Sequence, residues 1–151
     1  MQIEIDFTIF KAQLQLKKEG GKTLIFDPIR KKYLILLPEE LIRQLVLQYL
    51  LLDRKFNKNL IRSEQGLTVN ELNKRCDILI YDKDFSPFLL VECKSSKVKI
   101  TQKTFEQIAR YNLPLKVKYL LVTNGIQSFC CEMDYQAQSY LFLENVPHAD
   151  S

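Results

Sequence analysis

The chain has a single histidine, His148, and four cysteines (Cys76, Cys93, Cys130, Cys131) that make no C-x-x-C pair. Zinc sites are built from those residue types at close, regular spacings, so a zinc-dependent fold is not expected. Cys76 and Cys93 sit in apolar, strand-like runs, where cysteine behaves as a small core residue, and both read as reduced and structural. His148 falls in what reads as a frayed tail. Long apolar runs are missing as well. The stretches at 34–37 and 45–52 end at Pro38 or are broken by Gln48, far short of the roughly 18 residues that cross a bilayer. The opening MQIEIDFTIF is acidic and alternating, without the basic start of a secretory signal. No internal repeat, low-complexity segment or linker divides the chain. These absences lead to the expectation of one cytoplasmic unit with no membrane partner.

What is present is the composition of an ordinary globular domain, 46% hydrophobic and 26% charged over 151 residues, enough to bury one core. Basic residues outnumber acidic ones 22 to 18, and a net charge of +4 is too mild by itself to indicate a polyanion partner. Their placement is more suggestive. Arg30-Lys31-Lys32, Arg54-Lys55, Lys58, Lys74-Arg75, Lys94, Lys97, Lys99 and Lys103 cluster near expected turns and element ends. A solvated lysine-rich surface is the simpler account of them.

Pattern along the chain predicts a mixed α/β fold. Residues 7–17 read as extended, Gly20-Gly21 as a turn, and 23–27 and 32–37 as short strands around Asp27-Pro28-Ile29-Arg30. A helix should start at Pro38, with Glu39 and Glu40 suiting its positive end and a broad apolar stripe running from Leu41 to Leu52. Strands are expected over 60–68, 75–82 and 88–94, the last two joined by a turn through Lys83-Asp84-Phe85-Ser86-Pro87. Thr101 should cap a second helix reaching Asn112, with Phe105, Ile108 and Ala109 inward. Strands over 118–123, 127–133 and 139–143 complete the set, and the order implies a mixed sheet flanked by helices.

The stretch that carries chemistry is RCDILIYDKDFSPFLLVECKSS. Glu92 and Lys94 lie two apart on a strand, so both project from one face while Cys93 points to the other. A turn centred between Asp84 and Phe85 sets Asp77 opposite Glu92. Two adjacent carboxylates repel each other unless a cation neutralises them. Magnesium prefers oxygen ligands and keeps several waters, so Asp77 and Glu92 could share one ion and leave room for phosphate. The ion would activate a water, and Lys94 would offset charge developing on the phosphate. A structural ion-pair network at a strand edge is the competing account, because Glu-x-Lys alone is common.

The ordered series IFDPIRKKYLILLPEELIRQ, RCDILIYD, FLLVECKS, ITQKTFEQIARYN and YLLVTNG resembles the PD-(D/E)xK nucleases. More narrowly it resembles the N-terminal nuclease domain of type I restriction enzyme R subunits, in its short stand-alone bacterial form. The resemblance implies a restriction-endonuclease-like core over 38–145 behind an N-terminal β-hairpin extension over 1–37. It implies a Mg (or Mn) dependent deoxyribonuclease in which Asp77 and Glu92 bind metal and Lys94 is the catalytic lysine. The Cys93 backbone carbonyl would be a further ligand, and Glu40 would approach the metal through water, unless it serves only the helix terminus. Glu64 is a weaker candidate.

Gln107 and Tyr111 match the Gln-x-x-x-Tyr pattern of RecB-like relatives, on one helix face. With Lys99, Lys103 and Arg110 they would support the site or contact DNA. The motif's proline before the aspartate is replaced by Cys76. No G-x-x-x-x-G-K-[ST] loop occurs, so ATP-driven work would fall to another protein. The partners implied are DNA and other restriction-modification or DNA-processing proteins, with a homodimer left open. The rival function is a non-cleaving DNA-binding or protein-interaction module that keeps the nuclease fold.

Overall fold

The computed structural model describes residues 2–63, 67–69, 72–74 and 77–150. Its first element departs from expectation: Phe7–Gln13 is a 3-10 helix, not extended chain. Asp6 caps it, its carboxylate accepting from the Thr8 N–H at 3.0 Å. Three residues per turn puts Phe7 and Phe10 on one side. Both meet Tyr49 edge-on, at centroid distances of 5.4 and 6.0 Å. The period of three between these phenylalanines decided the local structure.

Strands β1 (Leu16–Glu19), β2 (Lys22–Asp27) and β3 (Lys32–Ile35) form a three-stranded antiparallel sheet, one strand more than the expected hairpin. Gly20 and Gly21 make the β1–β2 turn at φ of 58° and 77°, where a side chain would be strained. Helix α1 (Pro38–Leu52) starts where its proline and two glutamates predict. Its buried residues include Leu45, Val46, Leu47, Tyr49 and Leu50, too wide a stripe for a surface helix and right for one pressed on a sheet.

The expected strand over 60–68 is not continuous. Lys58–Leu60 is a 3-10 turn capped by Asn57, and β4 (Ile61–Arg62) is two residues long. Strands β5 (Leu67–Val69) and β6 (Leu72–Lys74) pair with each other, apart from the main sheet. Glu64, Arg75 and Cys76 lie outside the described residues.

Strands β7 (Ile78–Tyr81), β8 (Pro87–Cys93), β9 (Tyr119–Thr123), β10 (Ser128–Asp134) and β11 (Ser139–Phe142) join β4 in a six-stranded sheet of order β11-β10-β9-β8-β7-β4. Among the described strands only β8 and β9 run parallel, and helix α2 (Gln102–Asn112) makes the crossover between them. Thr101 caps α2 by accepting from the Thr104 N–H at 3.1 Å. Alternation along the strands divides the core. Ile78, Ile80, Leu89, Val91, Cys93 and Leu121 face α1 and the N-terminal phenylalanines. Leu79, Leu90, Leu120 and Val122 face Phe105 and Ala109 of α2.

The tail around His148 is packed, not frayed. Val146 is buried, its carbonyl accepts from Arg54 at 2.9 Å, and the Ala149 N–H donates to the Arg54 carbonyl at 2.8 Å. Among the described residues no helix is long and apolar enough to cross a membrane.

Candidate active site

The carboxyl ends of the parallel strands β8 and β9 lie side by side where α2 crosses between them. The carboxyl end of β8 is Glu92-Cys93, followed by Lys94, whose N–H donates to the Thr123 carbonyl at the end of β9 at 2.8 Å. Parity assigns each side chain. Cys93 is buried in the α1 layer, and its thiol is pushed well above the ordinary range by that burial. Glu92 and Lys94 point to the α2 side, where they line a cleft of about 340 Å³ with Gln107, Ile108, Tyr111 and Asn112. Both remain partly open to solvent.

Asp77 sits in the bend just before β7. The pairs Ile78–Val91, Leu79–Leu90 and Ile80–Leu89 have the register expected for this hairpin, and one more step sets Asp77 against Glu92. The Asp77 Oδ2 accepts from the Cys93 N–H at 2.6 Å, which ties its carboxylate to the peptide joining Glu92 and Cys93.

Burial raises the Asp77 carboxyl above the usual range. The Cys93 N–H opposes this, the Glu39 charge adds to it, and Arg43 and Lys94 oppose it. Glu92 is pushed up to about 7, first by burial and then by the Asp77 charge, while Lys94 and a hydrogen bond from Asn112 pull it down. Two partly desolvated carboxylates are thus held close enough to repel, with the Lys94 charge acting on both. Such a pair binds either a proton or a cation more tightly than an isolated carboxylate does.

Two residues at this site were not singled out in the sequence. Glu39 is exposed at the start of α1, yet its charge bears on both Asp77 and Glu92. Glu40 turns elsewhere: it accepts from Arg43 at 2.5 Å and from Gln44 at 2.9 Å. Arg43 in turn binds the buried Asp27 carboxylate at 2.9 Å and the Ser63 hydroxyl. The sequence signal was two adjacent glutamates, and only the helix azimuth separates their roles. Asn112 is the second. Its amide donates to the Ile108 carbonyl at 2.9 Å, and its buried Oδ1 has no partner among the described residues. An asparagine at a helix end reads as a terminator, which hid it.

The remaining candidates divide. Gln107 and Tyr111 line the cleft. Arg110 lines a separate groove with Glu106, Met133 and Tyr140 on the far side of α2. Lys99 and Lys103 are exposed, in the loop before α2 and in its first turn. That loop is stitched to the β9–β10 turn, with Asn124 donating to the Val98 carbonyl at 2.8 Å and Gln127 accepting from the Ile100 N–H at 3.1 Å.

The family model for the type I restriction enzyme R protein N terminus matches residues 38–147. The chain belongs to this family. None of the curated proteins matches it. Among solved structures, a fragment described as an HsdR subunit of a type I restriction enzyme from Vibrio vulnificus YJ016 is similar, with a TM-score of 0.53 and 23% identity over 76% of this chain. At that identity the likeness concerns the fold, a mixed sheet flanked by helices. The chain spans 24% of that fragment's length. The family match takes in α1, the β7–β8 hairpin, α2 and the last three strands. Every residue of the cleft lies inside it.

Proposed function

We propose that this R-subunit N-terminal domain is a metal-dependent nuclease that hydrolyses DNA phosphodiester bonds in a restriction-modification setting, with the chemistry of the PD-(D/E)xK enzymes. The observation that carries the reading is geometric: the Asp77 carboxylate accepts from the Cys93 N–H at 2.6 Å, which holds it at the strand end whose Glu92 and Lys94 line one cleft. The donor set fits a hard cation. Asp77 and Glu92 supply oxygens, the Cys93 peptide is fixed beside them by its N–H bond to Asp77, and magnesium keeps waters for its other positions. A bound Mg (or Mn) ion would acidify a water and offset phosphate charge. Lys94 holds a phosphate oxygen or the attacking water and stabilises negative charge as it develops. Asn112 fixes the Glu92 carboxylate in the orientation this requires. Glu39, whose charge bears on both carboxylates, reaches the ion through water, while Glu40 stays engaged with Arg43 and Gln44.

The rival is a module that binds DNA without cutting it. Manganese titration calorimetry with linear, nicked and branched DNA cleavage assays separates the two. The wild type should bind and cut, Asp77→Asn and Glu92→Gln should lose most binding, and Lys94→Ala should bind without cutting. Wild-type behaviour in all three variants would move the site elsewhere. DNA and the other subunits of a restriction system are the partners this reading carries.

A further inference from the structure

Opposed residues in a sheet share a face, and the β1–β3 register divides this one cleanly. Leu16, Ile25 and Leu34 are opposed on the inner side, where Ile25 is fully buried and Leu16, on the edge strand, is 53% exposed. Asp27, also inner and fully buried, is clamped by Arg43 at 2.9 Å. The outer side carries Lys17, Leu24 and Ile35 in one row and Phe26 and Tyr33 in the next. Among the described residues this side stays open at one edge: Tyr33 and Ile35 are 36% and 49% exposed, while Leu24 and Phe26 are half-buried. The Phe26 and Tyr33 rings meet edge-to-face at 5.2 Å, and the Lys17 ammonium lies 4.1 Å from the Tyr33 ring centre.

We propose that this outer face is a stacking platform for single-stranded DNA. Charge names the occupant. By the same register Lys17, Glu19 and Lys22 share the outer side while Lys18 and Lys32 lie on the inner one, and Arg30 and Lys31 stand in the β2–β3 turn at its rim, so the outer side and its rim carry four basic residues against one acid, Glu19, which pairs with Lys17 at 3.2 Å. A second copy of the chain would bring the same lysines against themselves. An apolar, aromatic face rimmed by cations suits a strand whose phosphates meet lysines and whose bases stack on rings. Duplex DNA hides its base faces within its own stack, so unpaired bases are what the rings select. Ile35 is three residues from Pro38, where α1 begins, so a strand held here is delivered toward the helix end that carries Glu39.

The inference rests on the reading that the chain acts on DNA, and it is independent of cleavage. It is tested on the full chain with an oligothymidine carrying one 2-aminopurine, by anisotropy and by quenching of the probe on stacking. Tyr33→Leu keeps apolar area but removes the ring, and should weaken single-strand binding at least about fivefold and lose the quenching, while Tyr33→Phe stays within about twofold. Phe26→Leu is the second variant should Tyr33→Leu fail to fold. Unchanged binding and quenching in the leucine variants overturn the platform. So does tighter binding of duplex or of the matching RNA, or a dimer that Tyr33→Leu dissociates. Cleavage lost in Asp77→Asn alongside such a failure leaves the nuclease reading standing. Intact, Tyr33-dependent binding with no cleavage under any metal removes the nuclease reading and leaves the platform.

Discussion

Glu92 offers a stability signature that can be measured without any DNA. Its carboxyl is raised from an ordinary 4.5 to about 7 in the folded chain. The folded state therefore holds a proton that the unfolded state has released between those two values. Unfolding sheds that proton, so stability falls as pH rises through the window and is highest below it. A shift of this size corresponds to about 3 kcal/mol at roughly 1.4 kcal/mol per tenfold. Part of the side chain still meets water, so about half of that, roughly 1–2 kcal/mol, is the working figure. In a domain of this length about 1 kcal/mol moves Tm by roughly 2–4 °C.

Metal-free wild type, followed by calorimetry from about pH 5 to about pH 8, should lose roughly 2–8 °C of Tm more than Glu92→Gln does. At the alkaline end Glu92→Gln should be the more stable protein. Saturating magnesium should return the lost stability to wild type and not to the variant, since a ligand that binds only the folded state raises Tm. Parallel pH profiles for the two proteins would refute the electrostatic account of the site, whatever their activity.

Three further outcomes follow from particular contacts. Arg43→Ala leaves Asp27 fully buried without its cation and should destabilise by about 3–5 kcal/mol in urea unfolding, against a much smaller loss for Arg43→Lys. Gly125 has a φ of +90°, and a Cβ there would stand 3.3 Å from Ile42 of α1. Gly125→Ala should therefore lower Tm and loosen the turn beside the cleft, read by faster amide exchange at Ile126 and Gln127. Replacing Lys99 and Lys103 together by alanine should flatten the salt dependence of DNA binding by roughly one unit per lost phosphate contact, equally across sequences. An unchanged slope would mark those lysines as solubilising only.

Local pattern determined most of the main sheet and both helices. Proline followed by two glutamates set the start of α1, Thr101 set the start of α2, and the turn set the β7–β8 register from Ile80 back to Ile78, with a one-residue shift at Tyr81 next to the turn. Each of these is a short-range effect, written in neighbours along the chain. The pairing of Asp77 with Glu92 was legible for the same reason, because a hairpin converts sequence separation directly into cross-strand position.

The 3-10 helix at Phe7–Gln13 was not legible, since alternating apolar residues fit a strand until Tyr49 supplies a surface for two of them at once. Nor was the division of labour between Glu39 and Glu40. Adjacent helical residues point about 100° apart, so which one faces the carboxylate pair depends on how α1 lies across the sheet. The clamp from Asp27 through Arg43, which holds Glu40 away from that pair, joins residues 16 positions apart and exists only in the folded packing. The sequence by itself determined which residues the site could use. The tertiary structure decided which of them are desolvated together, and desolvation is what turns two ordinary acids into a pair that seeks a cation.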